Sequence, residues 1–204
     1  MTDNRLQLIF PTVVFVKNNL LINELEIYKK NILEYFEKNK TTKTFYNSKL
    51  QNSYYDNINY IFKNSIYTNL IKEILFNCSV YCKELGYSEE QISRYEIQSM
   101  WANLIKKYDY HGMHTHSNRG NALISGVFYV DAPETSFLKF ENPYRDFYLA
   151  EDPKNKNIYN FDCYNYKCTP GTLILFKSYT KHGYDSHLNE KDKIGIAFNY
   201  GRVS

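Results

Sequence analysis

Beyond residue 92 short runs rich in Ile, Val, Phe and Tyr alternate with turns, at 93–106, 122–131, 136–141, 172–178 and 193–199. Nothing else in the sequence restricts the fold as strongly, because runs of this length and composition read as strands. Before them come helical patterns. In "INELEIYKKNILEYFEKN", Leu25, Ile27, Ile32, Leu33 and Phe36 recur near the period of an amphipathic helix. A second helix is predicted over about 62–85, with Gly86 as its stop. Two helices followed by a series of strands predict an α+β fold whose C-terminal half is a strand-built barrel or sandwich. The expected organisation is one domain over 1–204, with helical support about 18–90 and a strand core about 92–204. At the front, "LQLIFPTVVFVKNN" reads as a strand interrupted by Pro11, hence an edge or bent strand. Residues 40–60 read as a polar connection, and 142–168 as a long polar-aromatic lid or binding loop.

Composition adds exclusions. A chain of 204 residues with 43% apolar and 23% charged residues can bury a sizeable core. A net charge of +3 is too small to call for a nucleic-acid or membrane partner, and no stretch is long enough to span a bilayer. The N-terminus makes a poor signal peptide, which predicts a cytoplasmic protein with reduced thiols. Neither Cys78/Cys82 nor Cys163/Cys168 has the two-residue spacing of the usual zinc pair, so free cysteines are expected.

The chain has only five histidines, and three of them, His111, His114 and His116, fall within six positions. In an extended strand, residues two apart point to one side with Cα atoms about 6.5–7 Å apart. His114 and His116 can therefore converge on one ion, while His111 is out of phase and the weaker candidate. His182 emerges just past the apolar run 172–178 and supplies a third imidazole from a distant strand, which would leave open metal positions.

In "KIGIAFN" (193–199), Ile194, Ile196 and Phe198 alternate with Lys193, Gly195, Ala197 and Asn199. The second face is neither an ordinary core face nor an ordinary solvent face. Small residues between a lysine and an asparagine describe a strand that leaves room for a small anion.

Taken in order, these segments resemble the 2-oxoglutarate- and Fe(II)-dependent oxygenases, most closely a subgroup of bacteria and phages. The likeness is carried by Trp101-Ala102-Asn103, His114-Thr115-His116, "SGVFYV" (125–130), "TPGTLILFKS" (169–178), His182 and "KIGIAFN", and covers about half the chain. It implies a double-stranded β-helix, or jelly-roll, with helices outside. It implies Fe(II) held by His114, His116 and His182, and 2-oxoglutarate as cosubstrate. Lys193 takes the place of the basic residue that pairs with the cosubstrate's far carboxylate, and Asn103, Ser125 and Asn199 are expected beside it. His116 stands where the superfamily usually has a carboxylate. Asp109, Glu141 and Asp185 are the alternative oxygen ligands within this chain. The implied reaction oxidises a C–H bond of a primary substrate, with release of succinate and CO2. The residues carry no code for that substrate.

Two other readings compete. A cupin-like three-histidine dioxygenase also uses a jelly-roll with H-x-H, but no Glu follows His116 at the cupin interval. A non-catalytic module with a structural metal would need no anion pocket beside it.

Overall fold

The computed structural model describes residues 10–39, 42–45, 48–116, 121–145 and 154–202. Its strands are β1 (Val14–Lys17), β2 (Thr42–Phe45), β3 (Ser48–Asn52), β4 (Tyr95–Ile105), β5 (Tyr110–His114), β6 (Ala122–Asp131), β7 (Phe137–Glu141), β8 (Cys163–Lys167), β9 (Leu173–Lys177), β10 (His182–Tyr184) and β11 (Lys193–Arg202). The helices are α1 (Leu25–Asn39), α2 (Tyr54–Asn57), α3 (Tyr60–Lys63), α4 (Thr68–Glu84) and α5 (Glu89–Ile92).

All strand pairs are antiparallel, in the order β1-β9-β6-β11-β4-β3-β5-β10-β7-β8, with β2 attached to β3. The run from β1 to β4 forms a major sheet and the run from β5 to β8 a minor one. Between them β3 acts as the turn-over, pairing with β4 through Gln51 and Asn52 and with β5 through Ser48 and Lys49. Inward residues of both sheets meet in one apolar cluster: Val127, Tyr129, Ile174 and Phe176 against Leu138 and Phe140. The curled double layer is a jelly-roll.

The outward face of the major sheet carries the helices. On α1, Tyr28, Ile32 and Phe36 are buried at a four-residue interval, and on α4 Leu70, Ile74, Cys78, Tyr81 and Cys82. These residues pack against Met100, Ala102 and Leu104 of β4, Phe128 and Val130 of β6, and Ile194, Ile196 and Phe198 of β11. Period 3.6 on the helices and period 2 on the strands thus build one core between them. At the end of α4 Gly86 takes φ +89°, and Gly86 N–H and Tyr87 N–H close back on the carbonyls of Lys83 and Cys82. No helix among the described residues is long and apolar enough to cross a membrane.

Three expectations change. The polar connection 40–60 contains β2 and β3, because Ser48–Asn52 finds hydrogen-bonding partners on two strands distant in sequence. The second helix is broken at Asn64, whose extended backbone and side-chain acceptance of Ile66 N–H separate α3 from α4. The stretch 142–168 ends in β8, which pairs along its whole length with β7. Residues 146–153 of that stretch, and 6–9 of the N-terminal strand pattern, lie outside the described residues. Within the remainder of that pattern, β1 is an edge strand among the described residues, in line with the reading from Pro11.

Candidate active site

His114 ends β5 and lies directly across from His182, the first residue of β10. Both rings face inward from the minor sheet, with centroids 4.4 Å apart. His116 lies two residues past the end of β5, where its N–H donates to Ser178 O at 2.8 Å, just beyond β9. Its ring sits 5.1 Å from each of the other two. One ligand nitrogen from each of the three lies within 4.8 Å of the others, and Nε2 of His114 is 3.0 Å from Nε2 of His116.

Hydrogen bonds select the nitrogen that points inward. Nδ1 of His114 lies 2.9 Å from Gly112 O, and Nδ1 of His182 lies 2.8 Å from Thr180 O. A carbonyl oxygen only accepts, so both Nδ1 atoms carry the proton and both Nε2 atoms the lone pair. Burial, with His114 and His116 alongside, holds the His182 pKa well below the usual histidine range, so the ring is neutral. Phe176 and Phe140 line its flank, with ring centroids 4.4 and 6.4 Å away. Three converging imidazole nitrogens suit a divalent transition metal.

His111 departs from simple alternation. One extra residue in β5 opposite His182–Tyr184 makes a bulge, which returns His111 to the inward side and stacks it on His114, 4.2 Å between centroids. The chains approach so closely here that a Cβ on Gly183 would come within 2.6 Å of His111 O, which only glycine permits. His111 is nevertheless outside the converging set. His187 belongs to a loop clasp, with Nε2 donating to Lys191 O at 2.8 Å.

The three carboxylates are engaged elsewhere. Asp109 pairs with Lys49 and accepts from Lys106 N–H, Glu141 pairs with Lys181 and Arg145, and Asp185 pairs with Lys139. Among the described residues none joins the imidazole cluster. All four cysteines are free thiols and none contributes to it.

Lys193 opens β11 on its inward face and is only 3% exposed. Its Nζ lies 3.4 Å from the ring centroid of Tyr184, a cation–π contact. Tyr184 in turn meets Tyr129, hydroxyl to hydroxyl, at 2.9 Å. Burial lowers the Lys193 pKa to about 8, against a smaller opposite effect from Cys168. Among the described residues no carboxylate lies within ion-pair distance of this ammonium, although other buried or half-buried charges here are paired, such as Asp131 with Lys29 and Lys191. An unpaired buried cation is costly unless an anion completes it. Asn103, across from Gly195, is also buried, and its amide oxygen has no hydrogen-bond partner among the described residues.

Ser125 and Asn199 gather elsewhere, behind His116. Asn199 Oδ1 lies 2.6 Å and Ser125 Oγ 3.0 Å from His116 Nδ1. The sequence reading missed Tyr184, although its two-residue offset from His182 in an extended segment was the available signal. It also missed Ser99 and Ser178, which become neighbours of this group only through sheet pairing.

Comparison with known proteins agrees with this geometry. Residues 99–199 match the sequence model of the family described as "Putative 2OG-Fe(II) oxygenase". No curated protein matches the sequence. Among solved structures, the fold is similar to a Pseudomonas putida prolyl-4-hydroxylase, with TM-score 0.64, 8% identity, and 95% of this chain and 94% of that one covered. It is similar to HygX from Streptomyces hygroscopicus, solved with nickel and 2-oxoglutarate, with TM-score 0.59, 12% identity and coverage of 94% and 83%. It is also similar to the viral collagen prolyl hydroxylase of Paramecium Bursaria Chlorella virus-1, with TM-score 0.57, 13% identity and coverage of 94% and 96%. At such identities these are likenesses of fold, whereas the family match spans the strands that carry all three clustered imidazoles and Lys193. The chain belongs to the 2-oxoglutarate- and Fe(II)-dependent oxygenases.

Proposed function

We propose that His114, His116 and His182 hold Fe(II), that Lys193 holds the far carboxylate of 2-oxoglutarate, and that the protein hydroxylates a C–H bond of a separate substrate. The observation that carries this reading is a buried ammonium with no carboxylate partner among the described residues, seated over the ring of Tyr184, which shares β10 with His182 of the imidazole cluster. Tyr184 links the two: it lies two residues along β10 from His182 on the same side, about 6.5–7 Å away, with Lys193 over its ring. Bound Fe(II) and 2-oxoglutarate supply the oxidising chemistry, consuming O2 and releasing succinate and CO2.

The chain's own residues do the remaining work. Lys193 neutralises the far carboxylate and fixes its direction, and the Tyr184 ring confines the ammonium while its hydroxyl is tied to Tyr129. Asn103, paired with Gly195 two residues along β11 from Lys193, has a buried amide oxygen with no partner among the described residues. Phe140 and Phe176 exclude water from the His182 side. A purely structural metal module would have no use for Lys193. Four free thiols support a reducing, cytoplasmic setting.

Anaerobic addition of Fe(II) and 2-oxoglutarate should produce a weak visible charge-transfer band, and admission of O2 should yield succinate. Tight zinc retention with neither band nor succinate would refute the assignment.

A further inference from the structure

His114 and His182 take their orientation locally, each from the carbonyl two residues before it. His116 takes its orientation from the other sheet. Its main chain is tied to Ser178 beyond β9, and its Nδ1 faces Ser125 on β6 and Asn199 on β11. The Asn199 amide cannot choose its orientation freely, because Nδ2 donates to Ser99 Oγ on β4 at 3.1 Å. Oδ1 is thereby turned toward the imidazole, where it also receives the Ser125 hydroxyl at 2.8 Å. An amide oxygen only accepts, so it draws the proton onto His116 Nδ1 and leaves the lone pair on Nε2, 3.0 Å from the corresponding nitrogen of His114.

We propose that Asn199 is the positioning residue of the metal site: it holds His116 from the major sheet, in one tautomer, so that Nε2 is delivered to the two imidazoles of the minor sheet. The proposal rests on the reading that these three imidazoles bind metal. It explains how a residue beyond the end of its strand can serve as a rigid ligand. It also gives an electrostatic character to the site. The orienting groups named here, two carbonyls and one amide, are uncharged, and among the described residues no carboxylate joins the imidazole cluster. An aspartate at 199 would preserve the hydrogen bond to Nδ1 but add negative charge behind the ligand.

The test is Co(II) affinity of the full chain, measured by chelator competition, together with the visible Co(II) spectrum. Asn199→Ala should weaken Co(II) binding about 10- to 100-fold and alter the spectrum, in line with the loss of other groups that orient metal ligands. His116→Ala should weaken it at least as much. In the double variant Asn199→Ala should add nothing, whereas combined with His114→Ala it should keep its effect. Asn199→Asp should bind at least as tightly as the parent, and Ser99→Ala, which frees the amide, should bind more weakly. An equal loss from Asn199→Ala with and without His116 would show that it acts on the fold and overturn the proposal. So would unchanged binding in Ser99→Ala, a result that stands even if Asn199→Ala does not fold. Unchanged binding in His114→Ala would instead sink the three-imidazole reading itself.

Discussion

The two faces of β11 both carry buried side chains but are chemically opposite. Ile194, Ile196 and Phe198 are at most 1% exposed, and Lys193 and Asn199 are both 3% exposed. The outward face is filled by side chains of α1 and α4 and lies in the main core. The inward face keeps small residues at Gly195 and Ala197 between its two polar ends, where a Cβ on Gly195 would come within 3.2 Å of Val127. Burial alone therefore does not separate structure from function. The difference is in what meets each side chain: the outward residues pack into other apolar side chains, whereas on the inward face Asn199 is hydrogen-bonded to His116, Ser125 and Ser99 and Lys193 has no carboxylate partner among the described residues.

Substitutions on the two faces should separate stability from ligand binding. The largest effect is expected from His182→Ala, which should reduce Fe(II)- and 2-oxoglutarate-dependent succinate formation to background while leaving the melting temperature of the metal-free protein nearly unchanged. A drop in that temperature comparable to a core deletion would mean the site face also carries the fold. Ile196→Ala should do the reverse. A buried Ile→Ala change costs about 2–5 kcal/mol, a large share of a typical domain's stability, and urea denaturation would read it. Metal affinity of the folded protein should stay put; a parallel loss would show the faces are not independent.

Lys193→Met keeps the length of the side chain and removes its charge. A charged hydrogen bond is worth about 1.5–3 kcal/mol, so 2-oxoglutarate binding should weaken roughly 10- to 150-fold by calorimetry. Fe(II) binding should persist, and folding stability should not fall, since the variant no longer buries an unpaired cation.

The same lysine predicts opposite pH trends for binding and stability. Its pKa in the empty folded protein is about 8, below the ordinary lysine value near 10.4. As pH rises through 8, the ammonium is lost and 2-oxoglutarate affinity should decline, by at most about tenfold per pH unit. Over the window from about 8 to 10.4 the unfolded chain holds the proton that the folded one has released. Lys193 therefore makes the empty protein gain stability with rising pH there. Lys193→Met should flatten both trends.

The smallest effect is expected outside both faces, at Asp131, where ion pairs tie Lys29 of α1 to Lys191 before β11. Burial opposes its ionisation, but hydrogen bonds from Lys191 and Lys29 outweigh that and hold the pKa below the usual aspartate value. Its contribution is present above the unfolded pKa near 3.9 and fades as pH falls through the folded value. Asp131→Asn should lower the melting temperature slightly at pH 7 and not at all in strong acid.

Much of the site was legible because local periodicity carried it. His114 and His116, two apart, and His182, eleven residues before Lys193, lie on segments whose extended form the composition already predicts. The alternation in 193–199 separated core from chamber without any knowledge of the helices. Other parts depended on pairing between remote segments. The polar stretch 48–52 is a strand because β4 and β5 offer it ladders. The bulge in β5, which brings His111 back beside His114, is a property of its register with β10 and leaves no mark in the spacing. Ser125 and Asn199 meet His116 only through the pairing of β6 with β11 and the packing of the sheets.

The sequence by itself determined which side chains share a face, since strand and helix periods are written into neighbouring residues. It thereby determined the donor types of the site and the presence of a lysine with nothing local to neutralise it. Only the tertiary structure decided which faces meet. Bringing His116 onto the major sheet and turning the Asn199 amide with Ser99 depend on hydrogen bonds between segments 62 and 100 residues apart, and seating Lys193 over Tyr184 depends on a ring contact between two different strands. Such contacts act through space and through strand register, neither of which a local pattern of residues encodes.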